Sequence, residues 1–384
     1  MTQTDSSLPI SAAPNTAAPN TAATSTTTTA PIPSLDGLLS VEDVLHSAQS
    51  IVDVQQPNGM IPWFPGGHCD PWNHIEAAMA LDVAGFSEEA GRAYQWVADT
   101  QLPEGAWFNY YLADAGVKDP RLDTNVCAYI ATGAWHCYCV TGDRSVLEML
   151  WPVIDRAMTF VLRWQRADGG IRWSLDPDGR PRRFALLTGS SSIYHALRCA
   201  VACAEALGSE RPDWELAAGR LAHAIVHSPE AFEPKHEFAM DWYYPVLSGA
   251  LEGPAAVDRM AESWDAFVIP GVGVRCVSTE PWVTAAESAE CVLALDAVGR
   301  REDALAIMEW VQRLRCEDGS YWTGMVFPQE ITFPFEERTT YTAAAVILAV
   351  DALSCTSPAS GLFRGEGLPV GLDLTQPSPV APPS

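Results

Sequence analysis

Positive charge is scarce in this chain: 23 lysines and arginines stand against 48 aspartates and glutamates, for a formal net charge of −25. A surface that acidic repels phosphate backbones and anionic lipid, so nucleic acid and membrane surfaces are not expected as partners. Apolar runs long enough to cross a bilayer are missing as well, which argues against membrane insertion. The N-terminus has neither the basic segment nor the apolar core of a secretory signal. Ten cysteines occur without a Cys-x-x-Cys pair, and Cys137, Cys139, Cys199, Cys203 and Cys291 lie inside apolar helical stretches. Cysteine in such places acts as a small hydrophobe, so reduced thiols in a cytoplasmic protein are expected. Strand-like alternation is also lacking; apolar spacing near 3.6 dominates the chain.

Residues 1–35 are Ser, Thr, Ala, Pro and Asn with little apolar surface to offset ordering entropy, and they are expected to be a disordered low-complexity segment. Residues 356–384, rich in Pro and Gly, read as a flexible tail. Residues 36–355 are long enough for one large core.

A repeat runs through that middle part. Gln55-Gln56-Pro57-Asn58-Gly59 with Trp63, Gln101-Leu102-Pro103-Glu104-Gly105-Ala106-Trp107, Gln165-Arg166-Ala167-Asp168-Gly169 with Trp173, and Arg315-Cys316-Glu317-Asp318-Gly319-Ser320-Tyr321-Trp322 are its copies. Recurrence at tens of residues means one supersecondary unit used several times. The Gly suits a helix end, where it takes the left-handed conformation without a Cβ clash. The Trp is suited to cap the seam between neighbouring hairpins.

Helical patterning covers 41–55, 73–84, 87–101, 123–140, 143–165, 188–207, 213–228, 241–252, 255–267, 281–298, 301–314 and 339–354. These stretches alternate between apolar on most sides and amphipathic, the signature of an enclosed layer inside an outer one. Short Gly-containing turns imply antiparallel neighbours. Six enclosed helices inside six amphipathic ones make an all-α (α/α)6 barrel, closed by pairing the last helix with the first. All inner N-termini then gather at one rim, whose helix dipoles and unpaired N–H groups favour anions and developing negative charge. Aromatic residues beside carboxylates at that mouth suit sugar stacking and hydroxyl recognition.

On these motifs the chain resembles two families that share the barrel. The Gln-x-x-x-Gly-x-Trp repeats are similar to those of terpene cyclases and protein prenyltransferases. Asp70-Pro71-Trp72-Asn73-His74-Ile75-Glu76, Asp123, Thr188-Gly189-Ser190-Ser191 and Glu337-Arg338-Thr339-Thr340-Tyr341 resemble six-hairpin glycosidases, closest in character to the glucoamylase type. The likeness covers roughly residues 40–355. It departs at Ile75, where that family carries Arg, and at Phe184-Ala185-Leu186-Leu187, where its general acid would stand. Glycoside hydrolysis needs an acid for the leaving oxygen and a second carboxylate on the other face, so another acid would have to serve. The cyclase likeness fails in parallel, because no Asp-Asp dipeptide exists to protonate a polyene or hold Mg²⁺ and diphosphate.

The resulting expectation is a carbohydrate-active, glycoside hydrolase-like enzyme binding a small-molecule or oligosaccharide substrate, with carboxylates as acid and base. The alternatives are an isoprenoid enzyme of the toroid type and a non-catalytic glycan-binding barrel. Asp123, Asp241 and Glu336 are the candidate catalytic groups, although Asp123 reads equally as a helix cap. Trp72, Trp107, Tyr243 and Trp282 are candidate sugar platforms. His74, Glu76, Arg183 and Tyr341 complete the candidate substrate-binding set. His68, Cys69, Asp70 and His74 are of metal-ligating type, but their spacing fits no established pattern, and neither a metal nor another cofactor is expected.

Overall fold

The structure, a computed structural model, describes residues 31–114 and 116–374. Expectations about residues 1–30 and 375–384 lie outside the described residues. The helices are α1 (Val41–Val52), α2 (Pro71–Val83), α3 (Ser87–Thr100), α4 (Thr124–Ala128), α5 (Ile130–Thr141), α6 (Arg144–Leu162) and α7 (Leu187–Ala206). They continue with α8 (Pro212–His227), α9 (Ala239–Leu247), α10 (Gly253–Glu262), α11 (Trp264–Phe267), α12 (Ala285–Ala297), α13 (Arg301–Val311) and α14 (Thr340–Ser354). Tyr129 joins α4 to α5 in right-handed helical geometry, so the two act as one inner helix.

The inner ring closes in the order α2, α4–α5, α7, α9, α12 and α14, with α14 packed against α2. Outside it lie α3, α6, α8, α10, α13 and α1, and α1 packs on α14 as the outer member of the last hairpin. The inner helices are buried on nearly every side: in α2, residues 74–83 are all buried. The (α/α)6 barrel expected from patterning is the fold observed.

The repeat turns out to stitch the outer ring. Gly59, Gly105, Gly169 and Gly319 all have positive φ, and a Cβ on each would meet the backbone of the next outer helix. At Gly105 that atom would lie 2.2 Å from the Arg156 carbonyl oxygen of α6, and at Gly169 2.4 Å from that of Arg220 in α8. The Gln works from the other side of the turn: the Gln165 amide donates to the Gly169 oxygen at 3.1 Å and to the Ala217 oxygen of α8 at 2.9 Å. Gln55 and Gln101 do the same towards α3 and α6. In the fourth copy Arg315 replaces Gln and donates to the Asp43 oxygen of α1 at 3.1 Å, closing the ring onto its first helix.

Short strands, which periodicity over two or three residues cannot reveal, tie the long links together at the rim. They are β1 (His68–Cys69), β2 (Tyr110–Leu112), β3 (Val117–Asp119), β4 (Leu122–Asp123), β5 (Ser174–Leu175), β6 (Val268–Ile269), β7 (Gly273–Arg275), β8 (Trp282–Thr284), β9 (Gly324–Val326) and β10 (Ile331–Phe333). Their antiparallel sheets run β1-β2-β3, β4-β5 and β10-β9-β8-β7-β6, each joining links from neighbouring hairpins. Residues 356–374, expected in the flexible tail, instead pack on the barrel. Ala359 and Leu362 are buried, and Arg198 of α7 donates to the Pro369 oxygen at 2.7 Å. Apolar side chains scattered among Pro and Gly suffice to dock this stretch.

Candidate active site

The rim of inner N-termini surrounds a cavity of about 330 Å³. Helix α2 contributes Trp72, Asn73 and Glu76, α4 contributes Val126, α12 contributes Ala286, Glu287 and Glu290, and α14 contributes Tyr341. Met240 comes from α9, and the links supply Trp63, Asp70, Asn109, Tyr110, Arg121, Asp123 and Trp173. Five carboxyls therefore face one guanidinium, and that guanidinium is already paired with Asp119. Such a lining repels a diphosphate and suits a neutral, hydroxyl-rich ligand.

Two of the carboxylates are built alike. Asp70 caps α2, its Oδ1 accepting the Asn73 amide at 3.0 Å, while its Oδ2 accepts the Trp63 indole at 2.6 Å and the Asn73 side chain at 2.8 Å. Asp123 caps α4, its Oδ1 accepting the Asn125 and Val126 amides at 2.9 and 3.3 Å, while its Oδ2 accepts the Trp173 indole. Both indoles belong to the sequence repeat, so the same element that stitches the ring also orients site carboxylates. Burial pushes Asp123 up to about 6, against the pull of those N–H donors and of Arg121. Asp70 is raised by burial and opposed by the same kind of donors.

On α12 the situation differs. Burial raises the Glu287 carboxyl, and the groups favouring its charge are only Thr284 and its own amide. One turn deeper, Glu290 accepts the Tyr243 hydroxyl, and the Tyr244 hydroxyl at 3.2 Å. Glu76 accepts the Tyr129 hydroxyl at 2.9 Å and the Trp72 indole at 3.0 Å. Burial first, then repulsion from Glu76, raises Glu290 strongly; burial raises Glu76 as well, so the two carboxyls disfavour each other's charge.

Several expected site residues fall elsewhere. Trp107 is fully buried and donates to the Val97 oxygen at 2.9 Å, so it is core rather than a platform. His74 uses both ring nitrogens on backbone, one towards the Ile61 amide at 3.0 Å and one towards the Ala93 oxygen at 2.9 Å. Burial holds it neutral, pushed down to about 4, and no nitrogen is left for substrate or metal. Among the described residues no cluster of three His, Cys, Asp or Glu side chains is placed to hold a metal ion. Tyr243 lies beneath the cavity holding Glu290, and Trp282 stacks on Phe333 at 4.7 Å outside the lining. Asp241 turns its carboxylate to the Thr188 hydroxyl at 2.6 Å, tying α9 to α7. Arg183 and Glu336 are exposed and outside the lining, and Glu336 sits in the turn between β10 and α14 with φ 55°. Asp123, Trp72, Glu76 and Tyr341 do line the cavity.

The chain is 50% identical over 342 residues, 89% of its own length and 94% of the relative's, to the MMP endo-(1,4)-3-O-methyl-alpha-D-mannosidase of Mycolicibacterium hassiacum. It belongs to the family of that mannosidase. It is accordingly a carbohydrate-active, glycoside hydrolase-like enzyme, which decides between the sugar and isoprenoid readings. No protein-family model matches. Solved structures with the same fold include a glycosidase (TM-score 0.67, 16% identity, 82% of this chain and 97% of that one). A cellobiose 2-epimerase from Spirochaeta thermophila (0.59, 13%, 82% and 98%) and a D-mannose isomerase (0.61, 11%, 81% and 96%) share it too. Among the described residues no helix of this family member is long and apolar enough to cross a membrane.

Proposed function

We propose that this enzyme hydrolyses internal α-(1,4) bonds of a 3-O-methylated mannan, with Glu287 as general acid and Asp123 as the facing base. The substrate follows from the mannosidase relative, whose identity extends across nearly the whole chain. The observation that carries the catalytic pair is their opposition in the ring. In a closed ring of six, the second and fifth members stand across from each other, and these are α4, capped by Asp123, and α12, which bears Glu287. The first and fourth members offer Asp70 and Glu76 against Met240, and the third contributes no lining side chain among the described residues. Among the described residues, only the second–fifth pair has cavity carboxyls on both sides.

Chemistry divides their roles. Asp123 receives three N–H bonds and a helix N-terminus, all favouring the carboxylate that a base requires. Glu287 has few such donors and is raised by burial, the direction that favours the protonated form a leaving oxygen needs. This supplies the acid missing at Phe184–Leu187 from a different inner helix. Trp72 and Tyr341 flank the pair as stacking surfaces, and the Asp70 carboxyl, held by the Trp63 and Asn73 donors, lies in the same lining where an oxocarbenium ion would develop. The test is product sizing on a 3-O-methylated α-(1,4)-mannan. Intermediate oligosaccharides are expected from the first minutes; release of monosaccharide alone, or no cleavage, refutes the reading.

A further inference from the structure

The cavity has two unlike walls, and we infer that the apolar one, formed by Val126, Met240 and Ala286, is the subsite for the sugar's 3-O-methyl group. This rests on the mannanase reading above. A line across the ring from α4 to α12 leaves α2 and α14 on one side and α7 and α9 on the other. The first side presents Asp70, Trp72, Asn73, Glu76 and Tyr341, dense in donors and acceptors. Of the helices on the second side, α7 presents no lining side chain among the described residues and α9 presents Met240, flanked by Val126, three residues after Asp123, and Ala286, one residue before Glu287.

Val126 and Ala286 are 6% and 8% exposed, Met240 is half-buried, and none has a hydrogen-bonding side chain other than the thioether, a weak acceptor. Asp241, next to Met240 in the chain, turns its Oδ1 to the Thr188 amide and hydroxyl. A free hydroxyl pressed against this wall would lose its water partners and gain none, whereas a methoxyl carries no donor to strand and leaves water favourably. The unbranched Met side chain adapts to a group of that size. One methyl in such a pocket is worth about 10- to 200-fold in specificity. The wall touches both members of the catalytic pair, so a misfit there displaces the scissile bond as well as weakening binding.

The experiment compares kcat/KM on 3-O-methylated and unmethylated α-(1,4)-mannans of equal length for the wild type, Met240→Leu, Met240→Gln and Ala286→Ser. The wild type is expected to prefer the methylated chain by at least about tenfold, and Met240→Leu, still apolar, to keep that preference. Met240→Gln, similar in length but polar, is expected to cut the ratio about tenfold, and Ala286→Ser at the other end of the wall to move it in the same direction. An unchanged ratio in both polar variants, or no preference in the wild type, overturns the methoxyl subsite while leaving the hydrolase assignment intact. Failure of the wild type to cleave either chain overturns the function reading itself, and the two failures are separately visible. Should Met240→Gln not fold, Ala286→Ser alone decides the matter.

Discussion

Trp173→Phe removes one N–H from Asp123 and little else. The ring of Trp173 stacks on Phe184 at 5.5 Å between centroids and lies under the Arg121 guanidinium at 5.3 Å, contacts a phenyl ring largely keeps. The indole is the donor to Asp123 Oδ2, while the Asn125 and Val126 amides stay on Oδ1. A hydrogen bond to a charged group is worth about 1.5–3 kcal/mol, and each pKa unit costs ~1.36 kcal/mol, so the Asp123 carboxyl should rise by about one to two pH units. Starting from about 6, it would titrate between about 7 and 8. A base must be ionised, so the acidic limb of kcat/KM against pH should move up by that amount. Near pH 6.5 the ionised fraction would fall from roughly three quarters to roughly a tenth. The ratio of variant to wild-type kcat/KM should then climb towards one as the pH rises. A limb that stays at the wild-type pH, with a uniform loss of rate, would show that Asp123 is not the group whose ionisation the reaction needs.

Two further perturbations test the scaffold. Burial pushes Asp82 up to about 7 from 3.8, and its Oδ2 accepts the Tyr94 hydroxyl at 3.3 Å. The folded state thus keeps a proton that the unfolded chain releases above about pH 4, so this group's contribution is full below about pH 4 and is lost as pH rises towards 7, by roughly 4 kcal/mol. Asp82→Asn should raise Tm relative to wild type at pH 8 and not at pH 4; an equal effect at both would refute the assignment. Gly169→Ala forces a Cβ to 2.4 Å from the Arg220 oxygen at φ 92°, and should cost at least about 2 kcal/mol, lowering Tm by ~3 °C or more. An unchanged melting curve would mean that the repeat glycine does not seat the turn on α8.

The barrel was legible in the sequence because enclosed and amphipathic helices alternate without interruption from α1 to α14, and both patterns survive in single residues. The repeat was legible as a repeat but not as what it does. Gln165 and Gly169 act on α8, some fifty residues on, and only the folded ring brings that helix to them. At the site, Asp123, Trp72, Glu76 and Tyr341 were readable as polar or aromatic groups at inner N-termini. Trp107 and His74 misled because an aromatic or imidazole near the rim can turn into the core just as well. Glu287 and Glu290 line the cavity three residues apart on α12, a helix otherwise mostly of Ala, Leu and Val, and that spacing is a signal readable in the sequence. Trp63 and Trp173 stood out as repeat members but not as donors to Asp70 and Asp123, and Met240 gave no signal, since these roles depend on links meeting across the rim.

In the proposed mechanism Asp123 and Glu287, on opposed members of the ring, perform the chemistry. The direct measurement is turnover of the methylated mannan by Asp123→Asn and Glu287→Gln, with Glu336→Gln alongside. Asn remains a good helix cap, so Asp123→Asn should fold and melt close to wild type. Loss of at least about 10²-fold in kcat for both, with Glu336→Gln near wild type, is the predicted result. Wild-type turnover in either cavity variant, or an equal loss in Glu336→Gln, would contradict it.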